Sequence, residues 1–194
     1  MNFLKKLFNL SSQEEPVVEN QPVNLSMDDL FVHNFLKKEG KFLYCAKIFE
    51  VIENLKNILS ENNWNELLLL NKNLENFLTE EVAKITTKFS DETPIFTTCE
   101  HLIADNGDIL FSSNQIGSKR LADFPKNFIV YATTSQIVKN SGQGLTGIKM
   151  NHKLNLPTNI SAIKNYNINI VDDNFLNYGN NNSKNLYLLL LEDL

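Results

Sequence analysis

Arginine is nearly missing from this chain: Arg120 stands alone against seventeen lysines. With a net charge of -5 and no basic block, the sequence lacks the electrostatic footprint that nucleic-acid binding requires. Cysteine is as scarce. Two in 194 residues can form neither a disulfide framework nor, by themselves, the ligand set of an iron–sulfur cluster. The seven glycines nowhere form G-x-G-x-x-G or a P-loop, which excludes the common dinucleotide and nucleotide cradles. The longest apolar runs, 67–70 and 186–191, fall far short of the roughly 20 residues that cross a bilayer. No N-terminal stretch has the layout of a secretory signal. These absences predict a cytoplasmic protein without stable membrane insertion.

What is present suits one compact domain and a tail. An apolar fraction of 42% and thirteen phenylalanines supply a core, and the abundant asparagine and lysine read as coding bias rather than a functional tract. Residues 1–25 read as a short amphipathic helix, MNFLKKLFNL, followed by a flexible linker rich in Ser, Gln, Glu and Pro. Residues 26–194 read as the domain.

Within it, Ser26 before Asp28 and Asp29 predicts a capped helix to about residue 38, stopped by Gly40. KFLYC predicts a strand, 46–59 a helix, and ELLLL a buried strand. The spacing of Leu74, Phe77, Leu78, Val82 and Ile85 predicts another helix. Strands follow at PIFTTC, DILFSS, FIVYA, INIV and YLLLL, with a mixed segment over 135–163. Apolar strands alternating with amphipathic helices predict an α/β fold with a mostly parallel sheet, and the strand–turn–strand succession after Pro94 predicts a hairpin insertion.

Chemistry concentrates in CEHLIADNGDILFSSNQIGSKRL, residues 99–121. ADNGD is a strong turn signal, with Asn106 and Gly107 suited to a left-handed backbone. After the next strand come Ser112, Ser113, Gln115 and Arg120. Hydroxyls, amides and one planar guanidinium make a receptor for a carboxylate or phosphate. The candidate ligand contacts are Asn106, Gly107, Asp108, Ser112, Ser113, Gln115 and Arg120, with a structural pair between Arg120 and Asp123 or Asp105 as the alternative. Cys99, Glu100, His101 and Asp105 match no zinc or iron–sulfur spacing, so no metal site is expected. His33 and His152 read as surface or capping residues.

The run TTCEHLIADNGDILFSSNQIGSKRLADFPKNFIVYATTSQIV resembles the core of the LUD domain family, the lactate-utilisation C (YkgG-like) proteins. Ile103, Ala104, Asp105, Gly107, Ile109, Leu110, Arg120, Phe124, Pro125, Ile129 and Val130 carry the likeness, which extends from about Met27 to the end of the sequence. It departs at Asn106-Gly107-Asp108, where the family has Thr-Gly-Ser/Thr, and at LPTNISAI, which lacks the family's Pro-Ser-x-Thr-Ala-Asp-Ile-Glu.

The resemblance implies a three-layer sandwich of the NagB/RpiA/CoA-transferase-like type. It implies a role in oxidising L-lactate to pyruvate beside an iron–sulfur or flavin partner subunit. This chain would bind no cofactor itself and would take a small anionic metabolite. A competing reading on the same scaffold is an autonomous acyl-transferring or sugar-phosphate-isomerising enzyme, with Glu100 or Asp105 as base or nucleophile. A third is a purely structural subunit that docks through MNFLKKLFNL.

Overall fold

The computed structural model describes residues 25–78, 82–168 and 182–193. The expected N-terminal helix and linker lie outside these residues, as does nearly all of the expected INIV strand.

The first helix, α1 (Met27–Lys37), begins where the sequence places it. The Ser26 hydroxyl accepts a bond from the Asp29 amide at 3.1 Å, and Asp28 and Asp29 occupy the positive end of the helix. Strand β1 (Lys41–Cys45) leads to helix α2 (Ile48–Glu61), which buries Val51, Leu55, Ile58 and Leu59. Next come β2 (Glu66–Leu69), β3 (Lys84–Thr86) and β4 (Ile95–Thr98). A hairpin of β5 (His101–Ile103) and β6 (Asp108–Ser112) precedes the single turn α3 (Ser113–Ile116). The chain continues through β7 (Asn127–Thr133), β8 (Ile137–Val138), α4 (Ser141–Asn151), β9 (Ile160–Ile163) and β10 (Asn185–Leu191).

The helix expected around Leu74 to Ile85 is not one helix. A 3-10 turn spans Lys72–Phe77, and Ile85 lies in β3, paired with Leu67 of β2. Leu74 still covers the sheet with Phe77, Leu78 and Val82 packed beside it, whereas Ile85 is exposed, so the apolar spacing reported burial for all but its last member and misreported conformation. Pairing of Ile85 along the edge of the sheet overrode the local helical pattern.

Six strands form the central sheet in the order β1-β10-β7-β4-β2-β3, every pair parallel. Cys45, Leu67, Phe96, Ile129 and Leu189 point to the α2 face. Leu68, Ile95, Phe128, Val130, Leu188 and Leu190 point the other way, against Phe31 and Phe35 of α1 and against Leu102, Ile109 and Phe111 of the hairpin. Burial on both faces is why the strands read as near-continuous apolar runs. The result is a three-layer α/β sandwich.

The hairpin grows into a second sheet, β8-β5-β6-β9, laid over the α1 side. Helix α4 closes its outer surface through Ile148, which packs on Ile103 and Leu110. The close approach depends on Gly147, where a Cβ would sit 2.5 Å from Nε2 of His101.

Candidate functional site

Ligands of open α/β sheets bind beyond the carboxyl ends of the strands, where the direction of the connections reverses. Here β2 connects outward to β3, whereas β4 connects inward toward β7, so the reversal falls between β2 and β4. Asn71 spans it: its Oδ1 accepts from the Thr97 hydroxyl at 2.8 Å and the Thr98 amide at 2.9 Å.

Glu100 follows directly, in the crossing from the central sheet to the hairpin. Its amide donates to Leu110 O at 2.8 Å, and the Gln136 side chain donates to Cys99 O at 2.6 Å and to Glu100 O at 3.3 Å. The backbone is thereby held from two sides. The Glu100 side chain is only 8% exposed. Its Oε1 accepts a short hydrogen bond from the Ser112 hydroxyl, and its two oxygens lie 3.2 and 3.1 Å from Nε2 of His152. Gln115 caps this corner, accepting from the Ser112 amide and placing its Nε2 3.4 Å from the Thr98 hydroxyl.

Of the residues proposed from sequence, Glu100, Ser112 and Gln115 come together here. Ser113 adjoins them, but its hydroxyl accepts from the Thr158 amide at 2.9 Å and so fastens the loop after α4. Asp105 stands at the far end of β5, roughly 15 Å along the strand at about 3.3 Å per residue, and its side chain is exposed. The two acids are not a carboxylate pair.

The 105–108 turn faces a different element. Asp108 is buried and paired with Lys38 at 2.6 Å, while Asn106 donates to its other oxygen at 3.0 Å. Gly107, at φ +70°, lies against α1, where a Cβ would come within 2.6 Å of the Phe35 amide nitrogen. The Tyr166 hydroxyl donates to the Gly107 carbonyl. Burial holds that phenol well above its ordinary range.

Arg120 is elsewhere again. It precedes β7 at its amino end, exposed, with its guanidinium hydrogen-bonded to Asp123 at 2.9 and 3.2 Å. That pair holds the Asp123 carboxyl below the usual range. The structure therefore separates the polar run 99–121 into three places.

Burial pushes the Cys99 thiol far up, with the Glu100 charge adding to it, so no reactive thiolate forms there. His101 is turned away, its Nδ1 3.2 Å from Gln136 O and its Nε2 without a hydrogen-bond partner among the described residues. Among the described residues no three His, Cys, Asp or Glu side chains converge as a metal site would require. After β10, Asp193 accepts from the Thr134 hydroxyl and from the Ser135 amide and hydroxyl, which follow β7. Burial alone would raise the Asp193 carboxyl, but these bonds outweigh it and hold it at about 2.

Cavity size does not identify the site. Among the described residues, one cleft of about 660 Å³ lies at the amino edge around Trp64, Glu66 and Asp91, away from Glu100. A smaller one of about 370 Å³ opens between α1 and the carboxyl halves of β1 and β10, lined by His33, Tyr44 and Thr134.

His152 is the member that sequence reasoning passes over as a surface residue. It lies 52 positions from Glu100 and reaches it only because α4 folds back over the hairpin. Its signal is faint: the glycines at 144 and 147 mark α4 as a helix seated close on something.

No functionally curated protein matches the chain. Among solved structures it is similar to a crystal structure of a DUF162 family protein from Deinococcus radiodurans, at a TM-score of 0.61 and 13% identity, covering 87% of this chain and 99% of that one. That likeness concerns the fold. No helix among the described residues is long and apolar enough to cross a membrane. The profile of the LUD domain matches residues 31–191, most of the length, and the chain belongs to the LUD domain family.

Proposed function

We propose that this LUD-domain chain is a cytoplasmic accessory protein of L-lactate-to-pyruvate utilisation, working beside an iron–sulfur or flavin partner subunit and holding neither group itself. It takes a small organic acid at the carboxyl edge of the central sheet. The observation that supports this reading is the convergence of Glu100, Ser112, Gln115 and Thr98 where β4 ends and the two sheets part. Glu100 is already engaged by Ser112 and His152, so an incoming carboxylate meets the Gln115 amide and the Thr98 hydroxyl as donors.

The test is a thermal-shift series with L-lactate, pyruvate, CoA esters and sugar phosphates. A ligand at 100 times its dissociation constant adds about 2.7 kcal/mol to stability. The expected result is a shift with lactate or pyruvate that is lost in Gln115→Ala and kept in Arg120→Ala. A shift confined to CoA esters or sugar phosphates would replace this reading with the autonomous enzyme. No shift, together with purification from native cells free of any iron–sulfur or flavoprotein partner, would end it.

A further inference from the structure

A carboxylate only accepts hydrogen bonds once ionised, so its contact with His152 fixes more than a distance. With an ionised Glu100 as acceptor, Nε2 of His152 is the donor, so in the neutral form of the ring the lone pair lies on Nδ1. That nitrogen has no hydrogen-bond partner among the described residues, and the side chain is 29% exposed, against 8% for Glu100. One edge of the imidazole is held in the protein and the other is left open.

The backbone that carries the ring is also fixed in place. His152 ends α4, its amide donating to Ile148 O at 3.0 Å, and Asn155 donates back to the His152 carbonyl at 3.0 Å. Asn114 and Ser113 of α3 then fasten the following loop through Asn155 O at 2.8 Å and the Thr158 amide. The seat of Gly147 on His101 sets the height of the helix. Three segments distant in sequence converge on one imidazole–carboxylate pair.

We propose that Glu100 and His152 form a proton-transfer dyad, in which Nδ1 of His152 takes the hydroxyl proton of a small 2-hydroxy acid while Glu100 positions the ring. In the step, the O–H bond of the acid breaks, an N–H bond forms at Nδ1, and the electron pair stays on the ligand oxygen. Glu100 stabilises the resulting imidazolium, and the reverse step returns the proton. His152 touches the ligand; Glu100 is a positioning residue.

Two rival readings fail on geometry. Ser112 is not a nucleophile activated by the histidine, because its hydroxyl is bonded to the carboxylate rather than to the ring, and it is buried. His101 is no substitute base, because its open nitrogen is buried against Gly147. The identity of the acid rests on the function proposed above; the dyad itself does not.

The experiment is acylation of the full-length protein by diethyl pyrocarbonate, which transfers an ethoxycarbonyl group to an unprotonated ring nitrogen and is read residue by residue by mass spectrometry. His33, exposed on α1, gives the reference rate within the same molecule, and buried His101 gives the floor. The expected result is that His152 reacts faster than His33, that Glu100→Gln slows it to the His33 rate or below, and that L-lactate or pyruvate protects His152 but not His33. A His101 that stays unreactive shows that the variant is folded, since unfolding would expose it. If His152 reacts no faster than His33, or equally fast in Glu100→Gln, the dyad is overturned even where lactate raises the melting temperature. If the Glu100 dependence holds but neither acid protects, the dyad stands and the small-acid ligand is lost.

Discussion

The 105–108 turn and the Glu100 corner contain much the same ingredients, a buried acid among amides and hydroxyls, yet they end in opposite states. In the turn the buried groups are spent inside the fold: Asp108 on Lys38 and Asn106, the Gly107 carbonyl on Tyr166. At Glu100 the carboxylate holds a histidine whose second nitrogen is left open, beside a glutamine and a threonine at the sheet edge. Polar residues at the turn secure the hairpin to α1, whereas those at the end of β4 keep hydrogen-bonding capacity unspent. Composition alone does not separate the two; what each group has left to bond does.

The comparison breaks most sharply at Gly107. Gly107→Ala adds a Cβ in the left-handed region, for about 1–3 kcal/mol of strain, and drives it against the α1 backbone. The expected outcome in urea denaturation is the largest stability loss of the set, with ligand-induced shifts retained in whatever remains folded. Asp108→Ala comes next, at about 2–3 kcal/mol, because it strands Lys38 and Asn106 in a partly buried place; a melt unchanged from wild type would remove the turn's structural role.

Gln115→Ala should invert the pattern. Its lost bonds to the Ser112 amide and the Thr98 hydroxyl cost roughly 1 kcal/mol, whereas the lactate or pyruvate shift disappears. A variant that keeps the shift would put the ligand elsewhere.

A smaller effect lies in pH. The folded Asp193 carboxyl sits at about 2, against about 3.9 for an unfolded aspartate. Its contribution is therefore complete above pH 4 and drains away as pH falls from 4 toward 2. Stability curves of Asp193→Asn should be flatter than wild type across that window, and parallel curves would refute the clamp on Thr134 and Ser135. Least of all is expected from Arg120→Ala: an exposed pair with Asp123 contributes little, so calorimetry should show an unchanged melt.

The strands were legible because a parallel sheet buried on both faces leaves unbroken apolar runs, as in ELLL of β2 and NLYLLLL of β10. The turn at Gly107 was legible because left-handed backbone selects its residue locally. Glu100 could be nominated from its place just after a strand. Its partner could not, since the loop carrying His152 is brought in by α4 packing on the hairpin, a contact no local pattern encodes. Arg120 drew attention as the sole guanidinium, yet its nearest acid, three residues on, satisfies it. The segment after Leu74 misled because a 3-10 turn and an edge strand can share the spacing of a helix face.

The place of β10 bears on how the chain reaches this fold. It is the last strand described, and it lies between β1 and β7, pairing with both. During synthesis β1 therefore waits for almost the whole domain before its neighbour emerges, and until then both β1 and β7 present open edges. Such late, long-range closure slows folding and exposes intermediates to aggregation. Truncation ahead of Asn185 removes the strand that joins β1 to the other four of the central sheet.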